Sequence, residues 1–93
     1  MTPEGWAAFE ASGTSEQSTR DLTLAEEGFI HCSYADQVDG TLARYYADLD
    51  EVVVVTLDPE LLGAEVKVEN GFPHVYGPLP LAAVVDVTRR RPG

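Results

Sequence analysis

The segment Val52–Leu57 constrains the fold more than any other part of this sequence. It holds four consecutive valines and no charged residue. β-Branched residues favour strands, and a strand without alternating polar positions is typically buried on both faces. We therefore predict a strand here, at the centre of a sheet, with other elements packed on both sides of it.

The sequence before this strand carries helix signals. Thr2 followed by Pro3 predicts the start of a helix. Trp6 and Phe9, three residues apart, form its apolar face, and Gly13 ends it. The next stretch, residues 13–20, contains no apolar side chain, so we predict a surface loop, with a mobile lid as the alternative functional interpretation.

Two capping-box patterns follow this loop. Thr23 with Glu26 predicts a short helix that ends at Gly28. After a short strand, Ser33 with Asp36 predicts the start of another helix. The buried stripe of that helix is expected to comprise Val38, Leu42, Tyr45 and Leu49.

The sequence after Val52–Leu57 carries strand and turn signals. Ala64–Val68 alternates as a half-exposed strand, and Asn70-Gly71 predicts a turn. Phe72–Pro80 contains three prolines, which predict a stiff, extended loop. Leu81–Val87 is the last predicted strand. Helices that come first and strands that follow favour the α+β class over a wound parallel sheet.

The length of 93 residues supports one domain. We predict a single α+β domain over residues 1–88 and a basic tail over residues 89–93, which contains Arg89, Arg90 and Arg91. No apolar run reaches the ~18 residues of a membrane span, and no signal-peptide pattern precedes the first helix. We therefore expect a soluble, cytoplasmic protein.

The net negative charge of the chain argues against nucleic acid and anionic membranes as binding partners. Six basic and sixteen acidic residues give a formal charge of −10. Such a surface repels nucleic acid and anionic membranes, because binding to nucleic acid comes mostly from Lys and Arg contacts to phosphate. A small anionic, nucleotide-like ligand remains compatible, since a few backbone amides can hold one phosphate. The sequence does not indicate the oligomeric state.

One histidine lies in a predicted strand. Because side chains alternate along a strand, His31 and Ser33 share one face, while Ile30 and Cys32 point into the core. Cys32 is then a buried, unreactive thiol. Ser33 has a structural role as helix cap, which is compatible with holding an anion. Gln37, one turn into the helix, either faces His31 or is an ordinary surface residue.

The other histidine lies in the proline-rich segment. If that segment is extended, His74 and Tyr76 share a face, and rigid loops often carry binding residues. The alternative is a His and a Tyr packed as structural filler. Glu69, just before the turn, either enters a cleft or is solvated. A zinc site built from both histidines and a carboxylate is disfavoured by the lack of ligand spacing, so we predict no metal.

Two long motifs carry a resemblance to a known family. Gly-Phe-Ile-His-Cys-Ser at residues 28–33 and Phe-Pro-His-Val-Tyr-Gly-Pro-Leu at residues 72–79, with Gln37 and Glu69 between them, resemble domain-of-unknown-function family 952, which is bacterial. The resemblance spans nearly the whole chain. The fold of that family is similar to the ADP-ribosyltransferase superfamily, near its RNA 2′-phosphotransferase branch. The resemblance implies a small split or mixed sheet, two to three helices, and a cleft for NAD or an ADP-ribose-like ligand.

The resemblance also implies roles for residues. His31 and His74 would position the ribose and nicotinamide, and Glu69 would stabilise positive charge that develops on the ribose. These three are the expected catalytic residues. The expected ligand-binding residues are Ser33, Gln37 and Tyr76.

Two features depart from the family pattern. Family members normally begin with a strand of the Ile-Tyr-His type, whereas Met1 here directly precedes the tryptophan-bearing helix. Either the start of the sequence is placed after this strand, or this form has lost part of the cleft; in both cases we expect the sheet formed by residues 1–93 to lack this first strand. The arginines that the RNA-processing branch uses for phosphate have no clear counterparts. Two alternatives to a transferase-like enzyme therefore stay open: a non-catalytic nucleotide-binding module, and an interaction or structural domain with packed histidines.

Overall fold

A computed structural model describes residues 1–20 and 22–92. The α-helices are α1 (Pro3–Ser12), α2 (Leu24–Glu27) and α3 (Val38–Tyr45), and single 3-10 turns lie at Ala35–Gln37, Pro59–Leu61 and Leu81–Ala83. The strands are β1 (Thr14–Ser15), β2 (Ile30–His31), β3 (Val52–Leu57), β4 (Val66–Glu69), β5 (Phe72–Val75), β6 (Leu79–Pro80) and β7 (Val84–Arg90). They form three antiparallel sheets, β1-β6, β2-β5-β4 and β3-β7. The predicted α+β class is confirmed.

Strand β3 lies between two apolar clusters, as its composition predicts. Val53 belongs to the larger cluster, whose other members are Trp6, Phe9, Ile30, Leu62, Val75, Leu79 and Ala83. Its neighbour Val52 faces the opposite way and packs with Leu42 and Tyr46. Both valines are 0% exposed. The burial of both faces is therefore confirmed at Val52 and Val53, whereas Val54, Val55 and Leu57 are half-buried and Thr56 is exposed.

The predicted central position of β3 is wrong. Within the part of the chain that the structure describes, β3 pairs with one strand, β7, in the register Val52↔Arg90 to Leu57↔Val84. On its other edge, Val53 exchanges two backbone hydrogen bonds with Met1. An apolar run reports burial of the strand's faces but not hydrogen bonding at its edges, which explains the error.

The segment predicted as a stiff loop contains the middle strand of a sheet. Phe72–Val75 forms β5, which pairs with β2 on one side and β4 on the other. The predicted Asn70-Gly71 turn joins β4 to β5, and both residues have positive φ, 53° and 82°. Pro73 lies at the end of the β2 pairing. Its carbonyl accepts a bond from Cys32 N–H, and the proline has no N–H to return one.

The N-terminal helices begin and end as predicted. Thr2 caps α1 through Gly5 N–H, and Thr23 with Glu26 forms the capping box of α2. The intervening polar stretch, however, is more ordered than a surface loop. Thr14–Ser15 pairs with β6, and Ser15 and Ser18 are buried. Ser18 Oγ accepts a hydrogen bond from His31 N–H and donates one to Glu27. Hydroxyls that find partners in the fold are buried without an apolar signal.

The start of the third helix differs from its prediction. Ser33 does not cap it; its hydroxyl pairs with Thr41 Oγ1 at 2.9 Å. A 3-10 turn precedes α3, and Gln37 Oε1 accepts the Tyr34 N–H there. This extra turn shifts the buried stripe, so that Tyr46 is buried while Tyr45 is 40% exposed.

The last strand lies three residues later than predicted. Leu81–Ala83 is a 3-10 turn, and β7 continues through Arg90. Arg89 and Arg90, predicted in a tail, thus belong to the sheet. Each forms an ion pair, with Glu51 at 2.7 Å and Asp39 at 2.5 Å, respectively. Residue 93 of the predicted tail lies outside the described residues. No helix in residues 1–20 and 22–92 has the length and apolar character needed to cross a membrane.

Replacing Phe9 with alanine should lower the free energy of unfolding by about 3–5 kcal/mol, because the deleted ring leaves a cavity. The Phe9 side chain is 1% exposed and contacts the larger cluster. Urea denaturation followed by circular dichroism measures the change. The exposed neighbour provides a control, since Glu10→Ala should alter stability by less than about 0.5 kcal/mol. Equal effects of the two substitutions would contradict the core described here.

Candidate functional site

One face of the sheet β2-β5-β4 carries both histidines singled out by sequence. His31 lies opposite His74, and His74 lies opposite Lys67 on the other neighbouring strand. Residues directly opposite each other in a sheet point to the same face. The alternate residues of β2 and β5, Ile30 and Val75, are each 2% exposed and face the core. The histidines therefore lie on the face opposite the apolar core.

A single carboxylate oxygen holds two of the predicted side chains. Glu69 Oε1 lies 2.9 Å from Nδ1 of His74 and also accepts a hydrogen bond from the Tyr76 hydroxyl. An ionised carboxylate can only accept, so the bond with His74 requires a proton on Nδ1. His74 is 6% exposed, whereas the Glu69 side chain is 43% exposed. The carboxylate thus links a buried imidazole to solvent.

Aromatic rings surround the two imidazoles. Phe29 stacks on His74 with 3.9 Å between ring centroids and 7° between planes. Phe72 lies 4.9 Å from the His31 ring. Lys67 Nζ lies 4.9 Å from the centre of the Tyr76 ring. These flat rings restrict the orientations of the imidazoles. We refer to His31, His74, Glu69, Tyr76 and Phe29 as the histidine cluster.

The two imidazoles are neighbours, with 5.2 Å between ring centroids. Partial burial lowers the pKa of His31 below its usual 6.5, and repulsion from His74 lowers it further, while Glu27 opposes the shift. His31 is therefore mostly neutral at neutral pH. A neutral imidazole that is partly accessible can accept a proton.

Hydrogen bonds shift the pKa values of Glu69 and of Tyr76 in opposite directions. The Tyr76 hydroxyl, followed by His74, lowers the pKa of Glu69 below its usual 4.5. The same hydrogen bond raises the pKa of Tyr76 above its usual 10.0, because the bound hydroxyl must keep its proton. At neutral pH the cluster therefore combines an anionic carboxylate with a neutral phenol.

Two predicted ligand-binding residues have their hydrogen bonds outside this cluster. Ser33 binds Thr41, as described above. Gln37 donates from Nε2 to Gly71 O at 2.8 Å, which ties the start of α3 to the β4–β5 turn. Gln37 therefore neither faces His31 nor is free on the surface. The sequence around Gln37 could not predict this bond, because the accepting backbone carbonyl lies 34 residues away in the chain.

The free thiol of Cys32 is outside the histidine cluster. Burial raises the pKa of Cys32 to about 11, so the thiol stays protonated and unreactive at neutral pH. Within residues 1–20 and 22–92, no three His, Cys, Asp or Glu side chains are placed to hold a metal ion.

A cavity of about 560 Å³ is bordered by residues 30–33, at and after β2, and by residues 53–57 of β3. Its lining includes His31 and Ser33 but not His74, Glu69 or Tyr76. The two imidazoles thus meet on the outer face of the sheet and do not share this cavity. His31 therefore borders both the cavity and the histidine cluster, whereas His74, Glu69 and Tyr76 belong to the cluster alone.

Sequence reasoning missed three members of the site. Phe29, Lys67 and Phe72 each contact a predicted residue, as the distances above show. Each lies two positions before His31, Glu69 or His74 in the chain. Alternation along the predicted strands could have found Phe29 and Lys67, and Phe72 would have followed had the proline-rich segment been recognised as a strand.

Comparison with known proteins gives one family and two solved structures of one protein. The family described as "Protein of unknown function (DUF952)" matches residues 1–87. The crystal structure of protein CC0527 from Caulobacter crescentus is 32% identical, with a TM-score of 0.80 over 96% of this chain and 80% of that chain. A double mutant of CC0527 gives 30% identity and a TM-score of 0.78 over the same shares. No curated protein matches this chain.

The Glu69→Gln substitution should destabilise the protein in a pH-dependent way. The lowered pKa means that the carboxylate stabilises the fold fully above its usual pKa of 4.5. This contribution is lost as the pH falls through the lowered value, because the folded carboxylate then takes up a proton. The difference from wild type in urea denaturation should be largest near neutral pH and shrink in acid. Glu60→Gln, at an exposed site, is the control; a Glu69→Gln difference that stays constant into acid would contradict the assignment.

NMR titration of the imidazoles should give His31 a pKa below 6.5, since burial disfavours its charged form. In His74→Gln the His31 pKa should rise toward its usual value, because the repulsion between the two rings is removed. A His31 pKa at or above 6.5 in wild type would show that the ring is more accessible than described here.

Proposed function

The chain belongs to the DUF952 family, and on this premise we propose that it binds a ribose-bearing nucleotide of the NAD or ADP-ribose class at the histidine cluster and acts on the bond between the ribose and its leaving group. The observation that carries the proposal is the Glu69 carboxylate, which is held by both His74 and Tyr76, with the His31 ring 5.2 Å from that of His74. Cleavage at a ribosyl carbon passes through a cationic sugar, which an adjacent carboxylate favours.

The charge states of the cluster suit this reaction. In NAD, the bond from ribose to nicotinamide breaks, and nicotinamide leaves with the electron pair as a neutral base. The oxygen of water or of an acceptor hydroxyl then bonds to the ribose carbon and gives its proton to neutral His31. Glu69 stays anionic throughout because the pKa of its carboxyl is lowered. Each role thus matches the protonation state described above.

The surroundings of the cluster supply binding groups. Phe72 beside His31 offers an aromatic surface for a flat ring of the ligand. Lys67, over Tyr76, offers a positive charge for a phosphate. With a chain charge of −10, this lysine is a locally important attraction for an anionic ligand.

A non-catalytic nucleotide-binding module is the second candidate, and one observation favours it. His74 is 6% exposed, and Phe29 covers one face of its ring. An imidazole enclosed in this way positions its neighbours rather than meeting a ligand. In this case the cluster binds the nucleotide through His31 and Glu69 without turnover.

Calorimetric titration with NAD and with ADP-ribose tests binding, and chromatography of nicotinamide tests turnover. The parent protein should bind at millimolar ligand or below, and Glu69→Gln should lower nicotinamide release by about 100-fold or more, the usual scale for removing one electrostatic catalytic group. Glu60→Gln serves as the matched control and should behave as the parent does. Absence of binding to either ligand would refute both candidates. Binding without nicotinamide release, abolished by His31→Ala, would select the non-catalytic module.

A further inference from the structure

A buried hydroxyl joins an acidic residue to the first histidine of the cluster. Ser18, which is 8% exposed, accepts a hydrogen bond from His31 N–H at 2.9 Å. The hydroxyl donates its own proton to Oε1 of Glu27 at 2.6 Å. Because the proton of this bond belongs to Ser18, the Glu27 oxygen accepts as an ionised carboxylate does. One hydroxyl thus separates the Glu27 carboxylate from the backbone of His31.

The backbone fixes the positions of Ser18 and Glu27 on either side of this contact. Ser18 N–H donates to Leu22 O at 2.8 Å, which closes the turn that follows the serine. Glu27 is the last residue of α2, and Gly28 ends that helix with a φ of 90°, which glycine adopts without strain. The chain then enters β2, which carries His31. The fold itself therefore brings the hydroxyl and the carboxylate to this histidine.

Each imidazole of the site has a carboxylate of its own. Glu69 binds His74 and Tyr76, as described above. Glu27 acts on His31, where its negative charge opposes the fall in pKa that burial and His74 cause. Opposite charges attract more strongly where they are partly shielded from water. The two acids are therefore divided between the two rings.

Groups from three elements determine the charge around His31. Helix α2 supplies Glu27, and β5 supplies His74, whose ring centroid lies 5.2 Å from that of His31. Strand β4 supplies Glu69 and Lys67. In the order β2-β5-β4, the strand of His74 separates these two residues from His31. Of these groups, Glu27 is the acid placed to balance a positive charge on His31.

We propose that Glu27, held by Ser18, is a second functional carboxylate of this site, whose negative charge stabilises the imidazolium form of His31. The use of this pair in catalysis rests on the proposed function, in which the oxygen of water or of an acceptor hydroxyl bonds to the ribose carbon and gives its proton to His31. The ring becomes positive in that step, while Glu27 keeps its charge and its bond from Ser18. Glu27 is thus a positioning residue, which acts through His31 and needs no contact with the ligand.

The Glu27→Gln substitution separates the charge from the hydrogen bond. The amide oxygen of glutamine can still accept from Ser18, so the contact is kept and the negative charge is lost. The His31 pKa, measured by NMR titration of the full chain, should then fall further below its usual value than it does in wild type. Glu26→Gln is the matched control, because Glu26 binds Thr23 in a capping box that glutamine preserves. It should leave the His31 pKa unchanged.

A double-mutant cycle tests the role of the hydroxyl. Ser18→Ala removes the hydrogen bond that holds Glu27 and should lower the His31 pKa. In the Glu27→Gln background the same substitution should have little further effect, because the charge that the serine positions is already absent. Ser18→Thr keeps a hydroxyl and should retain the wild-type pKa. Since Glu27→Gln leaves the buried serine unaltered, its result stands even if Ser18→Ala does not fold.

The pH profile of nicotinamide release gives a readout that a purely structural role would not move. Glu27→Gln should shift the acid limb of the profile to lower pH, because His31 then gains its proton only in stronger acid. The rate above that limb should fall by about tenfold, which is less than the roughly 100-fold loss expected when a general base is removed altogether. An equal loss of rate at every pH, with no shift of the limb, would contradict the role of the charge.

Two titration results would overturn the proposal. One is an unchanged His31 pKa in Glu27→Gln, which would show that the carboxylate serves only as an acceptor for Ser18. The other is an equal fall in Glu27→Gln and in Glu26→Gln, which would show a general effect of net charge. Absence of nicotinamide release from wild type would refute the proposed reaction, while a His31 pKa lowered in Glu27→Gln alone would still support the pairing of Glu27 with His31.

Discussion

The pairing of β5 on both of its edges is the constraint on which the arrangement of the site depends. Pairing with β2 brings His31 opposite His74, and pairing with β4 brings Lys67 to the other side of the same imidazole. The tight turn at Asn70-Gly71 returns the chain so that Glu69 reaches both His74 and Tyr76. A shift of one residue in the β2–β5 register would turn His31 to the face opposite His74, and a shift in the β4–β5 register would do the same to Lys67 and Glu69.

Local signals in the sequence predicted the elements that local chemistry determines. The caps at Thr2 and Thr23, the turn at Asn70-Gly71 and the strand Val52–Leu57 follow from neighbouring residues alone. The family resemblance indicated His31, His74 and Glu69. In the structure the two imidazoles are neighbours, and Glu69 lies within hydrogen-bond distance of His74. The proposed reaction remains a prediction for all three.

The errors arise where a distant partner decides the structure. Prolines suggested a loop at 72–80, but hydrogen bonds from strands on both sides hold Phe72–Val75 as a strand. Arg89 was expected in a tail, but Glu51, 38 residues earlier, pairs with it across the sheet. Ser33, which was expected to cap a helix, instead forms a hydrogen bond with the Thr41 hydroxyl. None of these partners can be identified from sequence spacing.

The hydrogen bond from Gln37 to Gly71 O also has a thermodynamic consequence. It joins the beginning of α3 to the turn that positions Glu69 beside His74. A change in α3 that breaks this bond therefore weakens the support of the turn, and a change in the turn acts on α3 in the same way. Linkage requires such an influence to be mutual, with the same coupling free energy in both directions.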